Sequence, residues 1–368
     1  GWSAINGVDL KLDNLVIWQQ QYADVAIRAN KLDKDQWSIQ IEQQNIAGDI
    51  RYQTQSNTVS GHFERLYFPQ SELSKKTANG FTTNLKQNDI PNLNLSIDML
   101  KLGDLDIGQV ELQSSTMPQH WRLDDCKIKS SEYQMTIKGD WQKQGTLEST
   151  QLHANVKINH LAKILERLKI TPVVEANSGE VQYDGGWNGS PTAFSLAKTN
   201  GQINMKFKDG RITHLSPETE EKLGLGKLLS VLSLQTIPRR LKLDFSDLSH
   251  DGYSYDVFEG SFTLKNGVMN THDSYIDGPV AHASIKGNLD LAKQRYDVEL
   301  HISPHITASL PIVATIAGGP IAGIATWVAS KIINQGMQRV TGYTYKITGP
   351  WQTPVVEQVS ILKKGSEQ

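Results

Sequence analysis

Apolar and polar residues alternate with a period of two along much of this chain, which puts every second side chain on one face of an extended strand. The clearest runs are Tyr133, Met135 and Ile137 leading to Trp141; Ile203, Met205 and Phe207; and Leu241, Leu243 and Phe245. Further on come Tyr253, Tyr255 and Val257, then Tyr296, Val298, Leu300 and Ile302, then Tyr343, Tyr345 and Ile347. Strands of a parallel sheet buried on both faces would read as unbroken apolar runs, so this alternation predicts antiparallel sheet with one face shielded and one in water.

Helical periodicity is scarce. Asn159 is placed to cap a short helix through Lys169, with Leu161, Ile164, Leu165 and Leu168 on one stripe and Pro172 beyond its end. A second helix is predicted from about 217 to 232, capped by Ser216, with Glu218, Glu220 and Glu221 at the positive end of its dipole and Pro238 as a stop.

A loose pentad also recurs, with a hydrophobe two residues before a glycine and another two after it. It occurs around Gly48, Gly61, Gly139, Gly260, Gly287 and Gly349. Glycine on the apolar side of a strand marks a bulge, a bend or a close approach, so these positions read as places where a sheet curves; strand composition alone is the competing explanation. A sheet with one apolar face must cover it with a second sheet, with helices, by closing into a barrel, or with a ligand. The few short helical stretches cannot cover this much sheet. A sandwich, a barrel, or an open trough with something greasy on its floor remain.

One segment stands apart. Ser309 to Gly336 is apolar but divided by Gly318, Gly319 and Pro320. Its second half reads as an amphipathic helix, with Ile321, Ile324, Val328 and Ile332 on one stripe, Trp327 nearby and Gly336 as a stop. An apolar hairpin over about 309–335 is therefore expected, packed over the end of the sheet as a lid or inserted in a bilayer surface. Its prolines and glycines argue against a full membrane span.

Composition removes several function classes. Charged residues make up 21% of the 368, the formal net charge is −2, and no long basic block appears, so the phosphate-neutralising footprint of a nucleic-acid binder is missing. Cys126 is the sole cysteine, which excludes an intrachain disulfide and a thiolate-rich zinc site; beside Asp124 and Asp125 it reads as a small, partly buried residue and not a reactive thiol. Phosphate loops, nucleophile elbows and zinc-protease helices are not found. His301 and His305 have the spacing of a helical metal pair, but Pro304 and the strand pattern between them oppose a helix. Asp244, Asp247, Asp251 and Asp256 fall at polar positions or turns and read as solvated. Arg239 and Arg240 could clamp a phosphate, with a turn-anchoring or solvated role the plainer reading. No enzyme, metal or cofactor is expected.

From about Gly186 to Glu357 the sequence resembles the carboxy-terminal region of the YhdP branch of the AsmA-like family of envelope bridge proteins. The resemblance rests on Gly224-Leu225-Gly226-Lys227-Leu228-Leu229, on Thr236-Ile237-Pro238-Arg239-Arg240-Leu241, and on Asp244-Phe245-Ser246-Asp247-Leu248. Ile276-Asp277-Gly278-Pro279, Gly318-Gly319-Pro320, Gly349-Pro350-Trp351 and Trp187-Asn188-Gly189-Ser190-Pro191 add to it. It implies a mainly β fold, a long twisted antiparallel sheet curved into an open groove or half-pipe, over 186–368; strand pattern alone extends the groove segment over 1–185. It implies a periplasmic, inner-membrane-anchored bridge that carries phospholipids to the outer membrane, with this chain as the outer-membrane-facing carboxy-terminal part of a longer one.

On that reading Tyr133, Met135, Ile137, Ile203, Met205, Phe207, Leu241, Leu243, Phe245, Ile285, Val298 and Leu300 line the lipid groove. Leu310, Ile312, Val313, Ile316, Ile321, Ile324, Trp327, Val328 and Ile332 touch the membrane. The expected partners are phospholipids, the outer-membrane surface and an outer-membrane protein. The competing function is a structural or assembly module that binds outer-membrane proteins by adding strands at an open sheet edge.

Overall fold

The computed structural model describes residues 6–17, 20–68, 87–167, 174–212, 253–279, 281–304, 340–351 and 355–363. They gather into two compact units, one of Gly1–Lys157 with Gln182–Gly201 and the other of Ile158–Val181 with Gln202–Gln368.

The first unit holds β1 (Gly7–Ile17), β2 (Gln20–Lys31), β3 (Gln36–Glu42), β4 (Ile46–Gln53) and β5 (Thr58–Phe68). After a 3-10 turn at Gln87–Asp89 come β6 (Asn92–Leu102), β7 (Leu105–Met117), β8 (His120–Lys129), β9 (Tyr133–Gln144) and β10 (Leu147–Ile158). Successive strands from β1 to β9 pair in chain order, and all but one of these pairs are antiparallel. The hairpins are tight where the sequence supplies left-handed residues. Gly103, at φ 59°, turns β6 into β7, and Gly145, at φ 60°, turns β9 toward β10.

The exception is β5 with β6, which run parallel from Thr58 opposite Asn92 to Phe68 opposite Leu102. The expectation of antiparallel pairing fails at this junction. A parallel neighbour needs a connection that returns the chain to the starting end of the strand, and residues 69–86 lie between the two. Alternation has the same period in either direction, so the pattern could not register the change.

The second unit holds β13 (Tyr253–Lys265), β14 (Val268–Asp277), β15 (Ala281–Asp290), β16 (Arg295–Pro304), β17 (Val340–Pro350), β18 (Val355–Lys363) and β12 (Asn200–Ile212) from Gln202 on; β11 (Val174–Asn188) contributes to both units. From β13 to β18 the pairs are antiparallel and sequential. Asn266-Gly267, both at positive φ, form the two-residue turn between Lys265 and Val268, the residue pair that such a hairpin favours. Helix α1 (Leu161–Arg167) appears where Asn159 foretold a helix, but it is short and buries none of its residues. The helix expected at 217–232 and the hairpin expected at 309–335 lie outside the described residues.

In this unit the apolar face is nearly dry. Ser274, Ile285, Leu300 and Tyr345 stand in one register row, and Thr271, Gly287, Val298 and Ile347 in the next. Leu300 is 2% exposed and Ile347 1%. The Thr271 and Ser274 hydroxyls in this layer satisfy each other, Thr271 Oγ1 lying 2.6 Å from Ser274 Oγ, as buried polar groups generally do. On the opposite face Lys206 Nζ sits 2.6 Å from Glu259 Oε2, to which Tyr275 also donates. The lysine hydrogen bond is the main cause that holds the Glu259 carboxyl below its usual range.

The recurrent glycines sit where chains approach. A Cβ at Gly48 would lie 2.6 Å from the His62 carbonyl oxygen, beside a register shift between Ala47 and Gly48, and one at Gly61 would lie 2.7 Å from Ile50 Cα. Gly287 adopts φ 121°, a conformation closed to most side chains. Gly61→Ala therefore forces backbone against backbone and should lower stability by roughly 1–3 kcal/mol, read as a shift in the urea midpoint; an unchanged midpoint would show that no close approach exists there.

Candidate functional site

The strands of the first unit bring their apolar residues into continuous rows. One row runs from Leu10 through Ile27, Ile41, Gly48, Phe63, Ile97, Val110 and Ile128 to Met135, crossing every strand from β1 to β9. Beside it, Val8, Ala29, Ile39, Ile50, Gly61, Leu95, Leu112, Cys126 and Ile137 form a second. At about 4.8 Å per strand each row is roughly 38 Å long. The apolar stripe thus runs across the strands, along the hydrogen-bonding direction.

Two packed clusters underlie the stripe. Tyr22, Val25, Ile41 and Ile46 centre one, and Ile97, Val110 and Cys126 the other. Phe63 and Leu66 pack against both, so the apolar layer has no polar gap between them. Burial along the face is uneven: Val110 is 4% exposed, Leu95, Leu112, Met135 and Ile137 are half-buried, and Leu10 is 43% exposed. Tyr133 is fixed by its hydroxyl, which donates to the Ile107 carbonyl at 3.0 Å. Tyr22 donates to the Tyr67 carbonyl, and burial pushes its phenol up to about 12.

The reverse face is the polar complement. Arg28, Gln40, Asp49, His62, Ser96, Glu111, Lys127 and Thr136 form a row in the same register. A hollow of about 690 Å³ opens there, lined by Asp49, Arg51, His62 and Glu111 among others. His62 is shared between Ser96 Oγ at 2.9 Å and Asp98 Oδ2 at 3.1 Å. Among the described residues no three His, Cys, Asp or Glu side chains gather as a metal site would require, and no helix is long and apolar enough to cross a membrane. His301 bonds Thr344 Oγ1 through Nδ1, and His305 lies outside the described residues.

The residues singled out in the sequence divide three ways. Tyr133, Met135 and Ile137 join the apolar face of the first unit. Ile203, Met205 and Phe207 alternate on β12 in the second unit, where the Phe207 ring lies 6.1 Å from that of Phe258, and Ile285, Val298 and Leu300 belong to that unit's dry layer. Leu241, Leu243, Phe245 and the nine membrane-contact residues from Leu310 to Ile332 lie outside the described residues. Sequence reasoning missed Ile39, Ile41, Leu95, Ile97, Val110 and Leu112. Their signal was present, in Ile39-Gln40-Ile41 and Leu93-Asn94-Leu95-Ser96-Ile97, but only register reveals that these short alternations fuse.

With this geometry in place, comparison with known proteins decides the family. The model of the YhdP protein family matches residues 3–356. The chain belongs to the YhdP family. Within the YhdP family a curated relative is the intermembrane phospholipid transporter YhdP of Escherichia coli (strain K12), 29% identical over 225 residues. That match covers 61% of this chain and 17% of the relative, so the chain spans a small part of the protein it matches. No solved structure matches it.

Cys126 gives the face a direct probe. Its thiol lies in the second apolar row, and burial, reinforced by Asp125, pushes it up to about 11. At pH 8 about one thiol in a thousand is then ionised. A thiol reagent at that pH should label the folded chain very slowly and the urea-unfolded chain to completion; rapid labelling of the folded chain would place Cys126 in contact with solvent.

Proposed function

We propose that this chain is a length of intermembrane phospholipid conduit, with the acyl chains carried on the apolar face of the first unit. The observation that supports this most directly is the pair of unbroken apolar rows crossing nine strands, half-buried at many positions. The relative in Escherichia coli, an intermembrane phospholipid transporter, fits the same reading.

Each methylene kept from water is worth about 0.8 kcal/mol, so two ordinary acyl chains meet a barrier of roughly 20 kcal/mol in crossing water unaided. A continuous apolar strip removes most of that barrier without chemistry. Dispersion and desolvation are non-directional, which lets a chain slide from one strand to the next. On this reading the protein lies in the periplasm, the present segment faces the outer membrane, and Leu310, Ile312, Val313, Ile316, Ile321, Ile324, Trp327, Val328 and Ile332 make the membrane contact.

The test separates lining from core. Met135→Asp puts a charge at a half-buried position of the apolar face and should leave circular dichroism and melting temperature nearly unchanged while sharply reducing phospholipid that co-purifies, measured by mass spectrometry. Leu300→Asp puts the same charge in the dry layer and should unfold the second unit, because an unpaired buried charge is not tolerated. Phospholipid retained at wild-type level by a folded Met135→Asp chain would overturn the conduit. For the membrane contact, Ile324→Asp or Val328→Asp should weaken flotation with liposomes while the fold persists; unfolding by either change would make the segment core.

A further inference from the structure

A few buried polar side-chain atoms have no hydrogen-bond partner among the described residues. Three of them, Gln87 Nε2, Ser114 Oγ and Trp121 Nε1, belong to one neighbourhood. Ser114 and Thr116 continue the apolar side of β7 beyond Val110 and Leu112. Thr116 stands opposite Trp121 and Ser114 opposite Leu123, so Ser114 and Trp121 are diagonal neighbours across the β7–β8 pair, about 7–8 Å apart and within reach of an indole.

The 3-10 turn Gln87–Asp89 lies against both strands. It is tied there by Thr116, whose Oγ1 donates to the Ile90 carbonyl at 2.7 Å and whose N–H donates to Asn92 Oδ1 at 2.8 Å, while Ile90 N–H returns to the Gln87 carbonyl. Gln87 is 4% exposed and Ser114 5%.

Leaving a buried donor unmet is costly, and several in one place call for an occupant. The donor set says what kind. An amide NH₂ and an indole N–H only donate, and a serine hydroxyl can donate, so the occupant must offer oxygen lone pairs. No cation belongs to the set. An ionised phosphate desolvated here would lack a counter-charge, whereas a neutral carbonyl needs only the hydrogen bonds.

We infer that Gln87, Ser114 and Trp121 form a station on the apolar face for the carboxylic ester carbonyls of a diacyl lipid. The station rests on the conduit reading and adds a chemical preference to it: it holds the ester junction while the acyl chains lie along the rows. Each such hydrogen bond should favour an ester by roughly threefold to tenfold over a lipid that lacks the carbonyl.

The experiment loads the purified chain with dioleoyl phosphatidylethanolamine or with its dialkyl ether analogue, which has the same headgroup and chain length but no carbonyl. Retained lipid is quantified by mass spectrometry. The ester form should be retained at least threefold more than the ether form. Ser114→Ala with Trp121→Phe should abolish that preference while leaving ether retention unchanged, and Gln87→Met should reduce it, serving as the readout should the double variant misfold. Equal retention of ester and ether lipid by the wild-type chain would overturn the station while leaving the conduit standing; it would mean that buried water alone meets these donors. Retention of neither lipid would overturn the conduit and the station together.

Discussion

Everything in the first unit depends on keeping register across a sheet whose side chains alternate with a period of two. A slip of one residue between any two strands would send every apolar side chain beyond it to the polar face. From β1 to β9 register holds through eight successive pairs, one of them parallel and several interrupted by bulges. The polar row from Arg28 to Thr136 pushes the same way, because a slipped strand would carry Glu111 or Lys127 into the apolar layer. Positive and negative selection of register thus come from the same alternation.

The glycines are part of that constraint. With several strands' side chains directed to one side, neighbouring chains crowd, and Gly48 and Gly61 leave room where Phe63 and Ile50 lean across them. The pentad found in the sequence is therefore a packing device, with the hydrophobes before and after each glycine filling the layer and the glycine relieving it. In the second unit the same device serves a different end. Gly260 and Gly287 sit beside a layer packed to 1–4% exposure at Ile347, Leu300 and Val298, which has the character of a core.

The strand class, the one-sided faces and the scarcity of helix were legible in the chain, because period-two alternation is a local property that survives any partner. Tyr133, Met135 and Ile137 were legible as one face for the same reason. The parallel junction of β5 and β6 was not, since alternation does not encode direction. Nor was the difference between Met135 and Leu300, which share a pattern but differ in what surrounds them; burial comes from neighbours distant in sequence. Gln87, Ser114 and Trp121 were also silent. A serine in an alternating strand and a glutamine before a turn look solvated until register places them against the same pair of strands.

A surface that is apolar over roughly 38 Å and only half-buried at many positions is a poor compromise for stability alone. A chain under pressure only to fold would bury such a face fully, as Val298, Leu300 and Ile347 are buried in the second unit. Leaving Met135 and Ile137 half-buried costs hydrophobic stabilisation that full burial would supply. That cost has a rationale if something apolar occupies the face for part of the time and leaves again. Occupancy of that kind favours weak, uniform contacts over tight ones, because a deep local minimum would trap the cargo. The smooth rows from Leu10 to Met135 and from Val8 to Ile137 meet this requirement, and a polar station of Gln87, Ser114 and Trp121 beside them would orient a lipid without holding it.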